Sequence, residues 1–218
     1  MTLFDCRTAD GRAAGLAAAV DTIRSGGLIV LPTDTVYGIG ADAFVPAAVR
    51  DLLAAKGRGR HMPPPVLVGD VDQLAELAPA APPVAAELAA AYWPGGLTVI
   101  VPHAPGLTWD LGDTDGTVGV RMPADALAVD LLRRTGPLAV SSANLTGTAP
   151  AETAADAVRA FGTTVTTYLE TGPCPGGVPS TVVSLVGDRP RLVRAGAVPA
   201  DRLRTLLPDL VESSSTAR

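Results

Sequence analysis

The single lysine of this chain stands in the segment that is richest in groups able to bind an anion. The protein has 17 basic residues, and Lys56 is the only lysine among them, close to Arg58 and Arg60. An ammonium group is a compact charge with three rotatable donors, whereas a guanidinium group is a planar fork. Gly57 and Gly59 allow backbone N–H groups to approach an anion. The segment predicts a phosphate or carboxylate contact at Lys56 and Arg58, with Lys56 in a solvated loop.

The glycines beside Lys56 do not belong to a standard nucleotide-binding motif. The sequence contains no G-x-x-x-x-G-K-[ST] loop, and no G-x-G-x-x-G follows a predicted strand. A nucleotide would therefore have to bind by a different arrangement of residues.

Polar loops follow apolar strands at two further places, which is the usual position of a ligand site in an α/β protein. Pro32–Gly40 follows the predicted strand Leu28–Leu31, and Ser141–Pro150 follows Leu138–Val140. The first loop crowds hydroxyl groups around Asp34, whose carboxylate has the alternative of only bracing the turn. The second offers serines and an asparagine, which also form ordinary turns. Either loop alone is a weak indication of a ligand site.

Two arginines and a serine stand at the ends of other predicted strands. Arg121 ends the strand 117–121, where a guanidinium group can clamp a carboxylate through two hydrogen bonds. A surface ion pair is the alternative for this residue. Ser180 begins the predicted strand 180–186, and Arg194 ends the predicted strand 191–194.

The elements that must position these residues alternate between helices and short strands. We predict helices at 12–25, 46–55, 71–78, 83–92, 124–135, 152–161 and 199–207. We predict strands at 28–31, 66–68, 97–101, 117–121, 138–140, 165–169, 180–186 and 191–194. This alternation is typical of an α/β sheet with helices packed on it. We expect one domain over residues 1–210 and a polar tail over 211–218.

Composition excludes several classes of protein. The net charge of -5 argues against a basic surface that wraps nucleic acid, although a local basic pocket remains compatible with it. Cys6 and Cys174 are far apart, and with only two histidines, His61 and His103, no zinc cluster is indicated. We predict free thiols and no metal ligands.

The chain shows no signal peptide and no long apolar span, so we expect a soluble cytoplasmic protein.

Seven segments taken together resemble the YrdC family. They are Leu31–Gly40, Lys56–Arg58, Tyr92–Thr98, Val118–Pro123, Ser142–Gly147, Pro179–Val183 and Arg194–Gly196. The segments occur in the order that the family has, and they span residues 31 to 196. Each segment alone is a weak signal, whereas seven in register make a strong one.

The resemblance implies a twisted, mixed α/β sheet with flanking helices around a deep, positively charged concave cavity. It implies synthesis of threonylcarbamoyl-AMP and pyrophosphate from L-threonine, bicarbonate and ATP, with Mg2+ accompanying the nucleotide. Downstream proteins would transfer the threonylcarbamoyl group to adenosine 37 of tRNAs that read ANN codons. A weak contact with RNA is a further expectation.

The resemblance also implies roles for eight residues. The expected ATP contacts are Lys56, Arg58, Ser142, Asn144 and Arg194, of which the first two are also the expected catalytic residues. The expected threonine contacts are Thr35, Arg121 and Ser180. The sequence shows no obvious protein nucleophile, which agrees with direct attack of a carbamate oxygen on the α-phosphate.

Four positions depart from the family's pattern. Asp34 stands where many members have glutamate, and Met62–Pro65 replaces an N-P-L segment. Gly69 stands where some members have a histidine that touches threonine, and Ser141 where some have proline.

Two other functions remain open. One is a related domain that handles carbamoyl-adenylate, and the other is a double-stranded RNA or tRNA-binding module without catalysis.

Overall fold

The structure, a computed structural model, describes residues 1–212. Its strands are β1 (Thr2–Asp5), β2 (Ile29–Leu31), β3 (Gly38–Asp42), β4 (Val66–Leu67), β5 (Leu97–Pro102), β6 (Thr117–Arg121), β7 (Leu138–Ser142), β8 (Thr167–Glu170), β9 (Thr181–Ser184), β10 (Arg191–Arg194) and β11 (Val211–Glu212). Its helices are α1 (Ala9–Arg24), α2 (Pro46–Ala55), α3 (Gln73–Leu77), α4 (Val84–Tyr92), α5 (Ala126–Thr135), α6 (Ala154–Phe161) and α7 (Ala200–Leu203).

The strands form one mixed sheet in the order β1-β8-β2-β3-β7-β4-β6-β5-β9-β10-β11. In the centre, β7 runs antiparallel to both β3 and β4, while β4 and β6 run parallel. The predicted α/β class with flanking helices is confirmed. The strand order could not be predicted, because most neighbours in the sheet are distant in the sequence.

Helices cover the sheet because successive side chains of a strand point to opposite faces. On β2, Ile29 and Leu31 are buried in an apolar cluster with α1 and α5. Val30 between them is buried in a second cluster, which includes residues of α2 and α6. A third cluster unites α3, α4 and α7 with β5 and β6. Each strand near the site is therefore fixed by packing on its flanking helices.

Several predicted elements agree closely with the structure, and others were wrong or missed. The helix 46–55 and the strands 117–121 and 191–194 have the predicted bounds. The helix predicted at 199–207 is confined to α7, and the predicted loop after Val140 begins later, because β7 continues through Ser142. Strands β1, β3 and β11 were not predicted.

The predicted tail begins within a strand, because Val211 pairs with Arg191 in a parallel arrangement. Residues 213–218 of that tail lie outside the described residues. The boundary between a domain of 1–210 and a tail therefore stays a prediction. Cys6 and Cys174 are free thiols, as predicted. Within the described chain, no helix combines the length and the apolar character needed to cross a membrane.

Two glycines explain why β3 lies against β7. Gly40 pairs with Val140, and Gly38 pairs with Ser142. A Cβ atom on Gly38 would lie 2.6 Å from Cγ1 of Val140, and one on Gly40 would lie 3.3 Å from its Cγ2. The missing side chains thus leave room for both methyl groups of Val140. The same glycines made the segment look like a loop in the sequence.

We predict that Gly38→Ala lowers the free energy of unfolding by roughly 1–3 kcal/mol, as overpacking does. The added methyl group would meet Val140, whose branched side chain is stiff at χ1. Urea denaturation measures the change. Val140→Ala provides the control, because its background removes the obstructing methyl groups. Strictly additive costs in the double variant would contradict this explanation.

Candidate active site

A cavity of about 430 Å³ opens beside the central strands. This volume lies within the range of small-molecule sites, which is roughly 300–1,000 Å³. Strands β3 to β7, β9 and β10 contribute lining residues, together with the loops beside them. Three arginines line the cavity, and no Asp or Glu among residues 1–212 does so. This lining favours an anionic ligand.

Arg121 binds three different segments at the end of β6. Its Nε donates to the carbonyl oxygen of Gly95 at 2.9 Å, and its Nη1 donates to Oγ1 of Thr35 at 2.9 Å. Its Nη2 donates to Oδ1 of Asp34 at 2.7 Å. The ion pair is buried, with side-chain exposures of 7% for Arg121 and 19% for Asp34, so the alternative of a surface pair is wrong. Burial lowers the pKa of Arg121, and the Asp34 carboxylate opposes that shift.

Asp34 also braces the loop that follows β2. Its Oδ1 accepts a second hydrogen bond, from the backbone N–H of Ala124 at 2.8 Å. Within the loop, Oγ1 of Thr33 contacts Oγ1 of Thr35 at 2.9 Å and donates to the carbonyl oxygen of Val36 at 2.7 Å. Asp34 thus braces the turn. Thr35 is fixed from two sides, by Thr33 of the same loop and by Arg121.

Ser180 lies at the cavity beneath the side chain of Arg194. Nη2 of Arg194 donates to the Ser180 carbonyl oxygen at 2.7 Å and to its Oγ at 3.0 Å. The same Oγ contacts Oγ1 of Thr98 at 2.8 Å. Gly196 allows this approach, because a Cβ atom there would lie 2.3 Å from the carbonyl oxygen of Pro179. Burial lowers the pKa of Arg194, and the positive charges of the other two arginines add to this shift.

Arg58 approaches the cavity from the segment after α2. Its Nη1 donates to Oγ of Ser141 at 2.9 Å, and its Nε donates to Oγ1 of Thr146 at 3.3 Å. Ser141 and Ser142 both line the cavity at the end of β7. Burial lowers the pKa of Arg58. These contacts place a guanidinium group beside the hydroxyl groups of Ser141 and Thr146, which is a suitable arrangement for phosphate oxygens.

Lys56 is buried behind the cavity wall and does not line the cavity. Its side chain is 1% exposed, so the expectation of a solvated loop residue is wrong. Its Nζ donates to the carbonyl oxygens of Ser142 at 2.5 Å and Asn144 at 2.7 Å. Its own carbonyl oxygen accepts from Oγ1 of Thr146 at 2.9 Å. Burial lowers the pKa of Lys56 to about 7, and the charge of Arg58 adds to this effect.

Asn144 also lies outside the cavity lining. Its Oδ1 accepts from Oγ of Ser142 at 2.5 Å, and its Nδ2 donates to the carbonyl oxygen of Thr148 at 2.7 Å. The structure therefore separates the eight predicted residues into two groups. Those that line the cavity are Thr35, Arg58, Arg121, Ser142, Ser180 and Arg194. Lys56 and Asn144 support the wall from behind.

Two residues that were not predicted as ligand contacts, Thr98 and Ser141, complete the polar side of the cavity. Thr98 contacts Ser180, and Ser141 contacts Arg58, and both line the cavity. Thr98 was present in a recognised segment, but its partner is reached only through the pairing of β5 with β9. Ser141 begins one of the two candidate polar loops and is also a departure from the family's pattern, but it was given no ligand contact of its own.

The remaining lining is largely apolar. It includes Met62, Pro63, Pro64, Leu111 and Val118. Such a surface suits a flat, weakly polar group, while the arginines suit anionic groups. Among residues 1–212, no group of three His, Cys, Asp or Glu is placed to hold a metal ion. The arrangement can therefore bind a ligand that combines negative charges with an apolar ring.

Comparison with known proteins gives a consistent result. A protein-family model described as Sua5_yciO_yrdC, telomere recombination, matches residues 21–196, a range that contains all seven segments noted above. A relative from Mycobacterium tuberculosis (strain ATCC 25618 / H37Rv) is 48% identical over 94% of this chain and 94% of its own. Threonylcarbamoyl-AMP synthase of Bacillus subtilis (strain 168) is 35% identical over 88% of this chain.

A solved structure extends the similarity to three dimensions. P. abyssi Sua5 complexed with L-threonine has a TM-score of 0.92 and 31% sequence identity, over 98% of this chain. The chain spans 63% of that structure's chain and 56% of the Bacillus subtilis protein. Both of these relatives are therefore considerably longer than the chain described here.

We predict that Lys56→Met destabilises the protein, because two carbonyl oxygens lose their buried donor. The expected cost is roughly 1–3 kcal/mol, because the Asn144 carbonyl oxygen is left unsatisfied while that of Ser142 keeps the backbone N–H of Asn144 as a donor. The deficit should also depend on pH. The folded-state pKa of about 7 lies below the ordinary 10.5, so the unfolded chain binds more protons between these values. Wild-type stability therefore rises with pH across this window, and the methionine variant lacks that contribution.

Chemical denaturation of both proteins at pH 7 and pH 9 measures this effect. The difference in free energy of unfolding should grow by roughly 1–2 kcal/mol between the two pH values. The comparison of the two proteins cancels the titration of all other groups. A variant as stable as the wild type at both values would show that Lys56 does not support the wall.

Proposed function

The chain belongs to the Sua5/YciO/YrdC family, and on that premise we propose that it makes threonylcarbamoyl-AMP and pyrophosphate from L-threonine, bicarbonate and ATP. The family model and the relatives confirm the resemblance to the YrdC family. The product serves N6-threonylcarbamoyladenosine modification of tRNA, through downstream proteins that transfer the threonylcarbamoyl group. These partners, and any weak direct contact with RNA, belong to the proposal.

One observation carries the proposal beyond family membership. The cavity brings three arginines to one site, and no carboxylate of residues 1–212 lines it. Both organic substrates carry anionic groups, since threonine has a carboxylate and ATP a triphosphate. Arginine suits planar, two-pronged recognition of these groups. The charge of the cavity thus matches the substrates.

Threonine would bind at Arg121, Thr35 and Ser180. Arg121 uses three of its five N–H donors on Gly95, Thr35 and Asp34, which leaves donors for a carboxylate. Thr35 and Ser180 offer hydroxyl oxygens to the amine or the hydroxyl group of the substrate. The bonds to Arg121 and Arg194 fix these side chains before the ligand arrives. Such preorganisation reduces the entropic cost of binding.

ATP would occupy the remainder of the cavity. Arg58, Arg194 and Ser142 are placed to bind phosphate oxygens, and the apolar side with Met62 and Leu111 is left for the base. Lys56 and Asn144 act indirectly, because they hold Ser142 in position. Mg2+ would arrive with the nucleotide and neutralise phosphate charge, since the described residues offer it no ligand cluster of their own.

The proposed reaction needs no protein nucleophile. The threonine amine takes up bicarbonate with release of water and becomes a carbamate. A carbamate oxygen then forms a bond to the α-phosphorus of ATP, and the bond from that phosphorus to the pyrophosphate oxygen breaks. Arg58 and Arg194 would stabilise the charge that develops on the phosphates. The enzyme contributes mainly by positioning and charge neutralisation.

Pyrophosphate release by the wild-type chain tests the proposed function. We expect release that requires ATP, L-threonine and bicarbonate together, with slower turnover of serine. A pocket that packs the substrate methyl group gains only about 1–3 kcal/mol over the analogue that lacks it. ATP consumption that ignores threonine would contradict the proposal. Salt-sensitive RNA binding without turnover would instead favour the RNA-binding module.

The two proposed subsites predict opposite effects of matched substitutions. Arg121→Lys should raise the KM for threonine about tenfold and leave that for ATP nearly unchanged, because an ammonium group cannot make the two-pronged contact. Arg58→Lys should raise the KM for ATP instead. Steady-state kinetics with each substrate varied in turn measures both values. Lysine retains the charge opposite Asp34, so the fold should survive, and thermal melting checks this. Equal effects of both variants on both substrates would contradict the assignment.

A further inference from the structure

Two loops outside the sheet are joined through one exposed arginine. We call residues 57–65 the proline loop and residues 103–116 the aspartate loop. Arg60 of the proline loop donates to both carboxylate oxygens of Asp110, each at 2.9 Å, and to Oδ1 of Asp113 at 3.2 Å. Its carbonyl oxygen accepts from the backbone N–H of Asp113 at 2.9 Å. One residue thus binds the aspartate loop through both its side chain and its backbone.

The backbone of the aspartate loop is shaped to fit Arg60. Gly112 has a φ of +108°, which L side chains rarely adopt. A Cβ atom on Gly112 would lie 2.5 Å from the carbonyl oxygen of Arg60. The backbone N–H of Gly112 also donates to Oδ1 of Asp110 at 3.2 Å. The close fit of the two loops therefore depends on local geometry as well as on charge.

Both loops contribute to the apolar side of the cavity. The proline loop provides Met62 and Pro63, and the aspartate loop provides Leu111, which is buried. The aspartate loop has a second attachment, where the ring of Trp109 stacks on Phe44 with centroids 5.5 Å apart. Arg60 binds Asp110 and Asp113, which stand on either side of Leu111 in the sequence. Its contacts therefore join the two loops next to a residue that lines the cavity.

We infer that Arg60 is a positioning residue for the nucleotide, because it holds Leu111 and the proline loop together as the wall against the base. This inference rests on the proposed function. Exposed ion pairs contribute little to global stability. The effect of Arg60 should therefore be confined to the loops and to the ligand that touches them.

Kinetic constants distinguish this role from a purely structural one. Arg60→Ala should raise the KM for ATP about threefold to tenfold, with kcat and the KM for threonine within twofold of wild type. Arg204→Ala is the matched control, since Arg204 also forms an exposed pair, with Glu212 at 2.7 Å, and neither residue lines the cavity. Its constants should not change. An active Arg60→Ala variant with an unchanged KM for ATP would overturn the inference and leave the proposed function intact.

A double-mutant cycle then tests the named contact. If Arg60 acts through Asp110, the double variant Arg60→Ala/Asp110→Ala should resemble each single variant. Arg60→Lys should restore part of the affinity, because it retains the charge without the two-pronged geometry. Multiplication of the two single effects would show that the residues act independently and would overturn the role assigned to their contact.

Hydrogen exchange gives a measurement that does not need activity. The amide of Asp113 is bonded to the carbonyl oxygen of Arg60, so it reports how often the loops separate. Its exchange should become about fivefold faster or more in Arg60→Ala and should not change in Arg204→Ala. Unchanged exchange would overturn the inference. Failure of the wild type to release pyrophosphate would contradict the proposed function, whereas the exchange result would still decide whether Arg60 holds the loops.

Discussion

Like charges gathered in one cavity repel each other, and this constraint governs which residues hold the charged side chains in place. Arg58, Arg121 and Arg194 share the lining, and the pKa of Arg194 is lowered first by burial and then by the charges of the other two. Each guanidinium group is held by hydrogen bonds, and within residues 1–212 a carboxylate, that of Asp34, is a partner of Arg121 alone among the three. Ser141 and Ser180 hold the other two arginines without neutralising them. The site thus keeps its geometry and retains positive charge for an anionic ligand.

This arrangement depends on strand pairings between distant parts of the sequence. Thr98 reaches Ser180 because β5 pairs with β9, and the glycines of β3 leave room for Val140 of β7. Gly196 plays a similar role near Ser180, because any side chain there would meet the backbone that carries this residue. The site is therefore a property of the whole sheet. A change in packing far from a ligand can alter the polar groups that face it.

This dependence on pairings between distant segments also explains which features could be predicted from the sequence and which could not. Helix α2 was predicted because Pro46 and its apolar periodicity are local signals. Strand β3 was missed because its glycines signal a turn locally, while their purpose is to accommodate Val140. Six of the eight predicted site residues line the cavity. They could be predicted because their side chains suit anions and because their segments resemble those of a family. Whether a polar residue faces a cavity or supports its wall depends on packing, which local patterns do not show.

Lys56 illustrates this distinction most clearly. Its uniqueness among 17 basic residues suggested a direct contact with a ligand. The structure offers a different physical reason for a lysine there. An ammonium group has three donors, and two of them are used on the carbonyl oxygens of Ser142 and Asn144. A guanidinium group would bring five donors into a site that is 1% exposed, and unsatisfied buried donors are costly. The space behind the wall therefore suits a compact group with few donors, and its influence reaches the cavity through Ser142.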